Sequence, residues 1–364
     1  MTKLHDTKKE IVKAVLVGAD FKSKEIIEDS LEELKGLAST AEVEVVGSIY
    51  QVLREHVVAT KIGKGKLQEL VDLVQTTGAN LVIFDEELSG SQIRNLEDAV
   101  GTRVIDRSML ILDIFASRAK SNEGKLQVEL TELKYFQSRL AAVSHSYGRY
   151  GAGVGMRGAG ETELELNRRI VKQRIFDLTQ KINKLKQQRG LMRRQREKNN
   201  VKVVAIVGYT NAGKSTLINA MSKSDVYADD KLFATLDTTA RQIFLDYKHK
   251  FLLVDTVGFI SKLPHELIDA FQATLEEANN ADLILHVVDR SNPFYKKHID
   301  VANEVLQKIG AGDIPQILVY NKVDKIEDYQ DEGVMCISAK KNYNLDTLKD
   351  KIAEELFDDF EKFE

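Results

Sequence analysis

Short apolar runs, each closed by a glycine or a polar residue, recur toward both ends of the chain. In the first part they fall at residues 12–17, 43–49, 81–84 and 103–105, separated by helical apolar spacing at 24–36, 66–77 and 91–100. Buried strands that alternate with covering helices make parallel pairing the simplest arrangement, so residues 1–107 are expected to form a small α/β domain. Residues 108–200 change character. Leu126, Leu130, Leu133 and Leu140 mark one helical face, and Val171, Ile175, Leu178, Ile182 and Leu185 step by four, three, four and three, the spacing of an a/d seam. Two such helices predict a long antiparallel helical hairpin. From residue 201 the apolar runs return at 203–207, 251–254, 317–320 and 335–337, and a last helix is expected over about 345–357. Residues 201–364 therefore read as a further α/β domain.

The polar residues that close these later runs carry the chemistry. Residues 203–207 lead into Gly208-Tyr209-Thr210-Asn211-Ala212-Gly213-Lys214-Ser215, and helical character resumes at Thr216. This is G-x-x-x-x-G-K-S between a strand and a helix. Its glycines let the backbone curl so that successive N–H groups point at a phosphate chain, and the helix adds its positive N-terminal end. Lys214 would reach the outer phosphate oxygens and the Ser215 hydroxyl would ligate Mg²⁺. The next run ends in Asp255-Thr256-Val257-Gly258. Asp255 stands where a carboxylate behind Mg²⁺ belongs, and Gly258 can present its N–H to a γ-phosphate, so Lys214 and Gly258 are the candidate catalytic groups.

The base is read further on, by Asn321-Lys322-Val323-Asp324. Guanine offers N1–H and N2–H₂ as adjacent donors, and the Asp324 carboxylate can accept both. Adenine offers no such pair and would leave the carboxylate unmatched. Lys322 would lie along the ring, and the backbone of Ser338-Ala339-Lys340 can donate to guanine O6. Each motif alone is weak. In this order, each at the end of an expected strand, they specify GTP or GDP.

Two stretches of the first domain are less specific. Ile62-Gly63-Lys64-Gly65-Lys66 precedes a helix and could hold an anion, but it lacks the phosphate-loop spacing and reads as a solvated lysine turn. Asp85-Glu86-Glu87 could bind metal, but reads as an exposed cap at a helix start.

Composition alters this picture in three places. A length of 364 residues suits two or three units, and 43% hydrophobic content supplies a sizeable core. The single cysteine, Cys336, excludes a disulfide framework and suits a reducing cytoplasm. No basic-then-apolar leader and no apolar run of about 20 residues is present, so no membrane segment is expected. The net charge of −4 hides an asymmetry: residues 157–202 hold 14 Lys/Arg against 5 Asp/Glu, +9, leaving −13 elsewhere. A charge run of this kind can be a solvated helix face. Here it adjoins a tip, Tyr147 to Glu161, in which six glycines interleave with Arg149, Arg157, Tyr147 and Tyr150. Basic helix and stacking tip together suit phosphate-rich RNA, with a plain floppy turn as the alternative.

These residues carry a resemblance. The strings GYTNAGKSTL, LFATLDTTAR (232–241), DTVGFI and RGAGETELELNRR (157–169) are similar to those of the HflX family of translational GTPases, over roughly residues 10–350. The resemblance implies an N-terminal α/β domain with a helical hairpin, joined to a Ras-like P-loop GTPase domain that docks on the large ribosomal subunit through rRNA. Members bind ribosomes, split them and rescue stalled ones, and some show ATP-linked RNA remodelling attributed to the N-terminal domain. The resemblance also implies that Phe233, Ala234, Thr235, Leu236 and Asp237 form the first switch, with Thr235 joining Ser215 on Mg²⁺. Many relatives carry proline where Ala159 and Thr238 stand. Relatives with an extra C-terminal domain are not matched beyond Glu364. A cytoplasmic monomer is expected.

Two positions bear on mechanism. Phe259 follows Gly258 where Ras-like switches use a glutamine to orient the attacking water, and a phenyl ring cannot do that. Slow intrinsic hydrolysis is expected, completed by a partner, unless Phe259 is core packing and another residue serves. Asn211 occupies a position where some related GTPases help hold K⁺, a candidate second cation; asparagine there can equally stabilise the loop. Two other functions stay open: a nucleotide-gated protein scaffold with incidental turnover, and ATP-linked RNA remodelling.

Overall fold

The computed structural model describes residues 11–150, 159–199, 201–222, 232–233, 240–246, 248–262, 277–326 and 333–357. The chain divides into two compact units, Met1–Ile114 with Glu132–Val171, and Phe115–Thr131 with Lys172–Glu364.

In the first unit, strands β1 (Lys13–Asp20), β2 (Glu44–Val52), β3 (Leu81–Phe84) and β4 (Arg103–Asp106) form a parallel sheet in the order β2-β1-β3-β4. Helices α1 (Lys24–Thr40), α2 (Lys64–Thr77) and α3 (Gly90–Val100) make the crossovers. Both faces of β1 are covered, so its middle is apolar without alternation. Val15, Val17, Val82 and Phe84 pack with Leu70, Val74 and Leu96 from the helices.

Two expectations are corrected here. Lys64 already lies in α2, because Gly63 caps the helix and its N–H is held by Gln51 Oε1 at 2.9 Å. Asp85 is not an exposed cap: it is 1% exposed, accepting from Ser30 Oγ at 2.6 Å and Arg107 Nη1 at 2.7 Å. Burial opposes the charge on Arg107, but Glu33 at 2.5 Å and Asp85 outweigh it and raise its pKa. The cap of α3 is Ser89, in a reciprocal capping box with Gln92. Among the described residues no group of His, Cys, Asp and Glu is arranged to hold a metal.

The apolar stretch after β4 forms a helix of its own, α4 (Arg107–Arg118), which the leucine spacing did not separate from the long helix after it. Asp106 anchors α4, accepting the Met109 N–H at 3.0 Å, and also accepts from Tyr135 Oη at 2.7 Å and Arg139 Nη2 at 2.6 Å on α5 (Asn122–Tyr150). The second long helix is α6 (Ala159–Lys198). The expected tip loop is shorter than its glycines suggested, since residues 147–150 end α5 and 159–161 begin α6. One glycine in a helix costs only about 1 kcal/mol, which a long helix tolerates near its end. The rest of the tip, 151–158 with Arg157, lies outside the described residues. Leu178 of the seam is fully buried. Within the second unit, Arg174 pairs with Glu129 at 2.6 Å and Arg189 with Glu123 at 2.9 Å. No described helix is long and apolar enough to cross a membrane.

The second unit holds a six-stranded sheet in the order β10-β9-β8-β5-β7-β6. Its strands are β5 (Lys202–Val207), β6 (Ala240–Phe244), β7 (Lys250–Asp255), β8 (Leu283–Asp289), β9 (Gln316–Asn321) and β10 (Met335–Cys336). All pair parallel except β6, which runs antiparallel on β7 at the edge. Helices α7 (Lys214–Ser222), α8 (Tyr295–Lys308) and α9 (Leu345–Leu356) accompany it. Val204, Ile206, Leu285, Val287 and Val319 share one core with Leu217, Leu348 and Ile352. Because the strands are parallel, the segments leaving β5, β7, β9 and β10 all emerge along one edge, where α/β sheets bind ligands.

Candidate functional site

β5 delivers its loop at Gly208, where φ is 150° and an added Cβ would meet Val287 O on β8. Gly213 closes the loop with φ 92°, and a Cβ there would meet Asn321 Nδ2. Only glycine fits both places. α7 then starts at Lys214, so the loop amides and the helix N-terminus make an anion cradle. Lys214 is 7% exposed, and its Nζ donates to Gly208 O at 3.0 Å and Tyr209 O at 2.9 Å. Burial lowers its pKa to about 8; Asp255 works against that shift and Lys322 adds to it. A bound phosphate would restore the charge.

Beside Lys214, the Ser215 hydroxyl lies 3.4 Å from Asp255 Oδ2. Thr256 Oγ1 donates to Ile206 O at 2.7 Å, fastening the end of β7 to β5. Val257 is buried, and a Cβ added at Gly258 would lie 2.9 Å from Lys214 Nζ, so this backbone already packs on the lysine. Phe259 is 2% exposed and so is part of the core. Thr210 Oγ1 is buried with no hydrogen-bond partner among the described residues.

The Asn321–Asp324 segment meets the 208–215 loop through two side chains, Asn321 and Lys322. Asn321 Nδ2 donates to Ala212 O at 2.9 Å, and Asn321 Oδ1 accepts from Ala339 N at 3.0 Å. Lys322, at φ 62°, donates to Asn211 O at 2.6 Å and pairs with Asp289 Oδ2 at 2.8 Å. Val323 is buried with Val288, Tyr295 and Tyr320. Asp324 Oδ1 accepts from Ser338 Oγ at 2.6 Å, and that bond holds its carboxyl below the usual range. An ionised carboxylate fixed through one oxygen keeps lone pairs for two adjacent N–H donors. Lys340 is exposed.

Phe233 is buried and packs edge-on against Phe115, ring centroids 4.7 Å apart. Ala234, Thr235, Leu236 and Asp237 lie outside the described residues. The sequence did not flag Asp289, Ser261, His298 or His286. His286 sits on β8 in register with Val207, 3% exposed, and its Nε2 has no hydrogen-bond partner among the described residues. Burial, with the nearby Lys214 charge, lowers its pKa to about 4.

Family models described as "GTP-binding GTPase N-terminal", "GTP-binding GTPase Middle Region" and "50S ribosome-binding GTPase" match residues 28–116, 118–196 and 203–322. The GTPase HflX of Caldanaerobacter subterraneus is 50% identical over 336 residues, which cover 92% of this chain and 78% of that protein. The GTPase HflX of Escherichia coli is 45% identical over 317 residues, 87% of this chain and 74% of that protein. A solved GTP-binding protein from Sulfolobus solfataricus, in complex with GDP, is 26% identical with a TM-score of 0.51, covering 95% of this chain and 99% of that one. Such identity over most of both sequences settles the relationship: the chain belongs to the HflX family of GTP-hydrolysing enzymes.

Proposed function

We propose that the second unit binds GTP between the Gly208–Ser215 loop and the Asn321–Asp324 and Ser338–Lys340 segments, and hydrolyses it while the protein is attached to the large ribosomal subunit. The observation that carries the nucleotide site is Asn321, whose side chain bonds to both the phosphate loop and the base-reading loop. Lys214 and the loop amides hold the phosphate charge, the Gly258 N–H faces the γ-phosphate, and Asp324 reads guanine. The paired hydroxyl and carboxylate of Ser215 and Asp255 are hard oxygen donors that fit Mg²⁺. When bound, Mg²⁺ neutralises charge developing on the phosphate oxygens. Ser215 would hold it directly, with Thr235 as its second protein ligand. K⁺ beside Asn211 is a further proposal, and equal turnover in K⁺ and Na⁺ buffers would remove it.

Attachment to the ribosome is supported by the description of the family model matched over 203–322 and by the +9 charge of residues 157–202. The ion pairs Arg174–Glu129 and Arg189–Glu123 join later positions on α6 to earlier ones on α5, as an antiparallel hairpin requires. Its basic flank supplies sequence-independent attraction to rRNA phosphates, and its tip supplies discriminating contacts. The GTP state docks, and hydrolysis releases it, in a cytoplasmic setting. Phe259 packs in the core, but a phenyl ring there still supplies no hydrogen bond to the attacking water, so turnover by the isolated chain is slow and rises when purified large subunits are titrated in. A rate that stays flat across that titration would instead support the nucleotide-gated scaffold.

A further inference from the structure

The segment after Gly258 is fastened to the first half of the phosphate loop. Thr210 N–H donates to Phe259 O at 2.7 Å and Phe259 N–H donates to Gly208 O at 3.0 Å, forming a short parallel bridge between Tyr209 and Phe259. These backbone bonds make no demand on residue type. The Tyr209 side chain does. Its ring lies flat on the His298 imidazole of α8, with centroids 3.8 Å apart and planes 6° from parallel. Its hydroxyl accepts the Ser261 N–H at 2.7 Å and lies 2.6 Å from Ser261 Oγ. At 6% exposure this is a buried phenol with its polar end satisfied, a use to which phenylalanine could not be put.

We propose that Tyr209 is a positioning residue for GTP hydrolysis, clamping Ser261 so that the Gly258 N–H is held ready for the γ-phosphate. The stretch 256–261 is pinned at both ends: upstream by Thr256 Oγ1 on Ile206 O, downstream by Ser261 on the Tyr209 hydroxyl. Gly258 lies between the pins, against Lys214 Nζ and Thr210. A donor fixed in place before the charge develops costs no reorganisation at the moment of reaction. The buried Phe259 ring leaves this backbone amide with more of the work. His298 acts as the floor that sets the angle of the tyrosine ring. The inference rests on the reading of 208–215 as the GTP site.

The test uses the full chain with Tyr209→Phe and Ser261→Ala, measuring kcat and the affinities for GDP and for a non-hydrolysable GTP analogue. GDP has no γ-phosphate, so its affinity should be unchanged in both variants. In Tyr209→Phe the analogue should bind about fivefold more weakly and kcat should fall about tenfold, the scale of a weakened hydrogen bond to a charged group. Ser261→Ala should shift both quantities in the same direction. The double variant should lose no more than Tyr209→Phe alone, because the two groups form one interaction. A purely structural tyrosine would weaken GDP and analogue in step. That outcome, or wild-type kcat and wild-type discrimination in both variants, overturns the clamp. Should Tyr209→Phe fail to fold, His298→Ala decides instead, because it removes the floor under the tyrosine ring, whereas Ser261→Ala keeps its N–H bond to the hydroxyl. Unchanged kcat and unchanged discrimination in His298→Ala would overturn the clamp. Lys214→Ala separates the two readings. If it turns over normally, the GTP site itself is misplaced; if it is inactive while Tyr209→Phe behaves as wild type, only the clamp fails.

Discussion

Asn321→Ala is the substitution that should damage the site most for the fewest atoms removed. The side chain is 2% exposed and makes two bonds, 2.9 Å to Ala212 O and 3.0 Å from Ala339 N. Alanine leaves a buried carbonyl and a buried amide without partners, at about 1–3 kcal/mol each, so a loss of roughly 2–6 kcal/mol is expected. Because the two groups belong to different loops, the loss should also appear in binding, as a fall in GDP affinity of at least about tenfold. Denaturant unfolding of the nucleotide-free chain and a GDP titration measure the two effects separately. Asn321→Asp is the informative companion. One carboxylate oxygen can keep the Ala339 N–H, but the other faces the Ala212 carbonyl, acceptor against acceptor, so aspartate should be no better than alanine. An alanine variant within about 0.5 kcal/mol of wild type, the range of an ordinary surface change, and with normal GDP affinity would refute the claim that this side chain joins the loops.

Asp324→Asn should weaken GTP and favour xanthosine triphosphate, because an amide reverses half of the acceptor pair; unchanged GTP affinity would sink the guanine assignment. Lys214 titrates at about 8 in the nucleotide-free fold against 10.5 ordinarily, so the unfolded chain holds the extra proton across that window. Stability of the empty protein should therefore rise as pH climbs from about 8, while GTP affinity falls by up to about tenfold per pH unit as the ammonium is lost. Calorimetry in buffers of different ionisation enthalpy should show proton uptake on binding near pH 8, and a flat affinity there would contradict the assignment. His286, at about 4 in the fold against 6.5 ordinarily, stabilises above pH 6.5 and loses that contribution as pH falls toward 4, about 2 kcal/mol of it by pH 5. His286→Leu should flatten this part of the stability profile; an acid-induced loss as steep as that of the wild type would show that other groups carry it.

The nucleotide motifs were legible because each occupies a few consecutive residues directly after an uninterrupted apolar run. Interactions between distant residues were not. Asp85 looks like one of three exposed acids until Arg107, 22 residues on, and Ser30, 55 residues back, are brought to it. Strand β8 was missed because His286 interrupts its apolar run. Strand β6 was missed because an edge strand needs little apolar surface, and only Ile243 of its five residues is buried. Glycine content overstated the length of the tip, since Gly148 and Gly160 are carried within helices. Tyr209 stood within a legible motif, yet the work of its hydroxyl depends on Ser261 and His298, which no local pattern links to it.

The central claim is that nucleotide occupancy of the 208–215 loop governs attachment to the large ribosomal subunit. Sedimentation of the full chain with purified large subunits through a sucrose cushion tests it most directly, in three conditions: non-hydrolysable GTP analogue, GDP, and no nucleotide. The account predicts that analogue-loaded protein travels with the subunits while GDP-loaded protein stays behind, with the difference shrinking as salt is raised. Equal recovery with analogue and GDP at every salt concentration would contradict it.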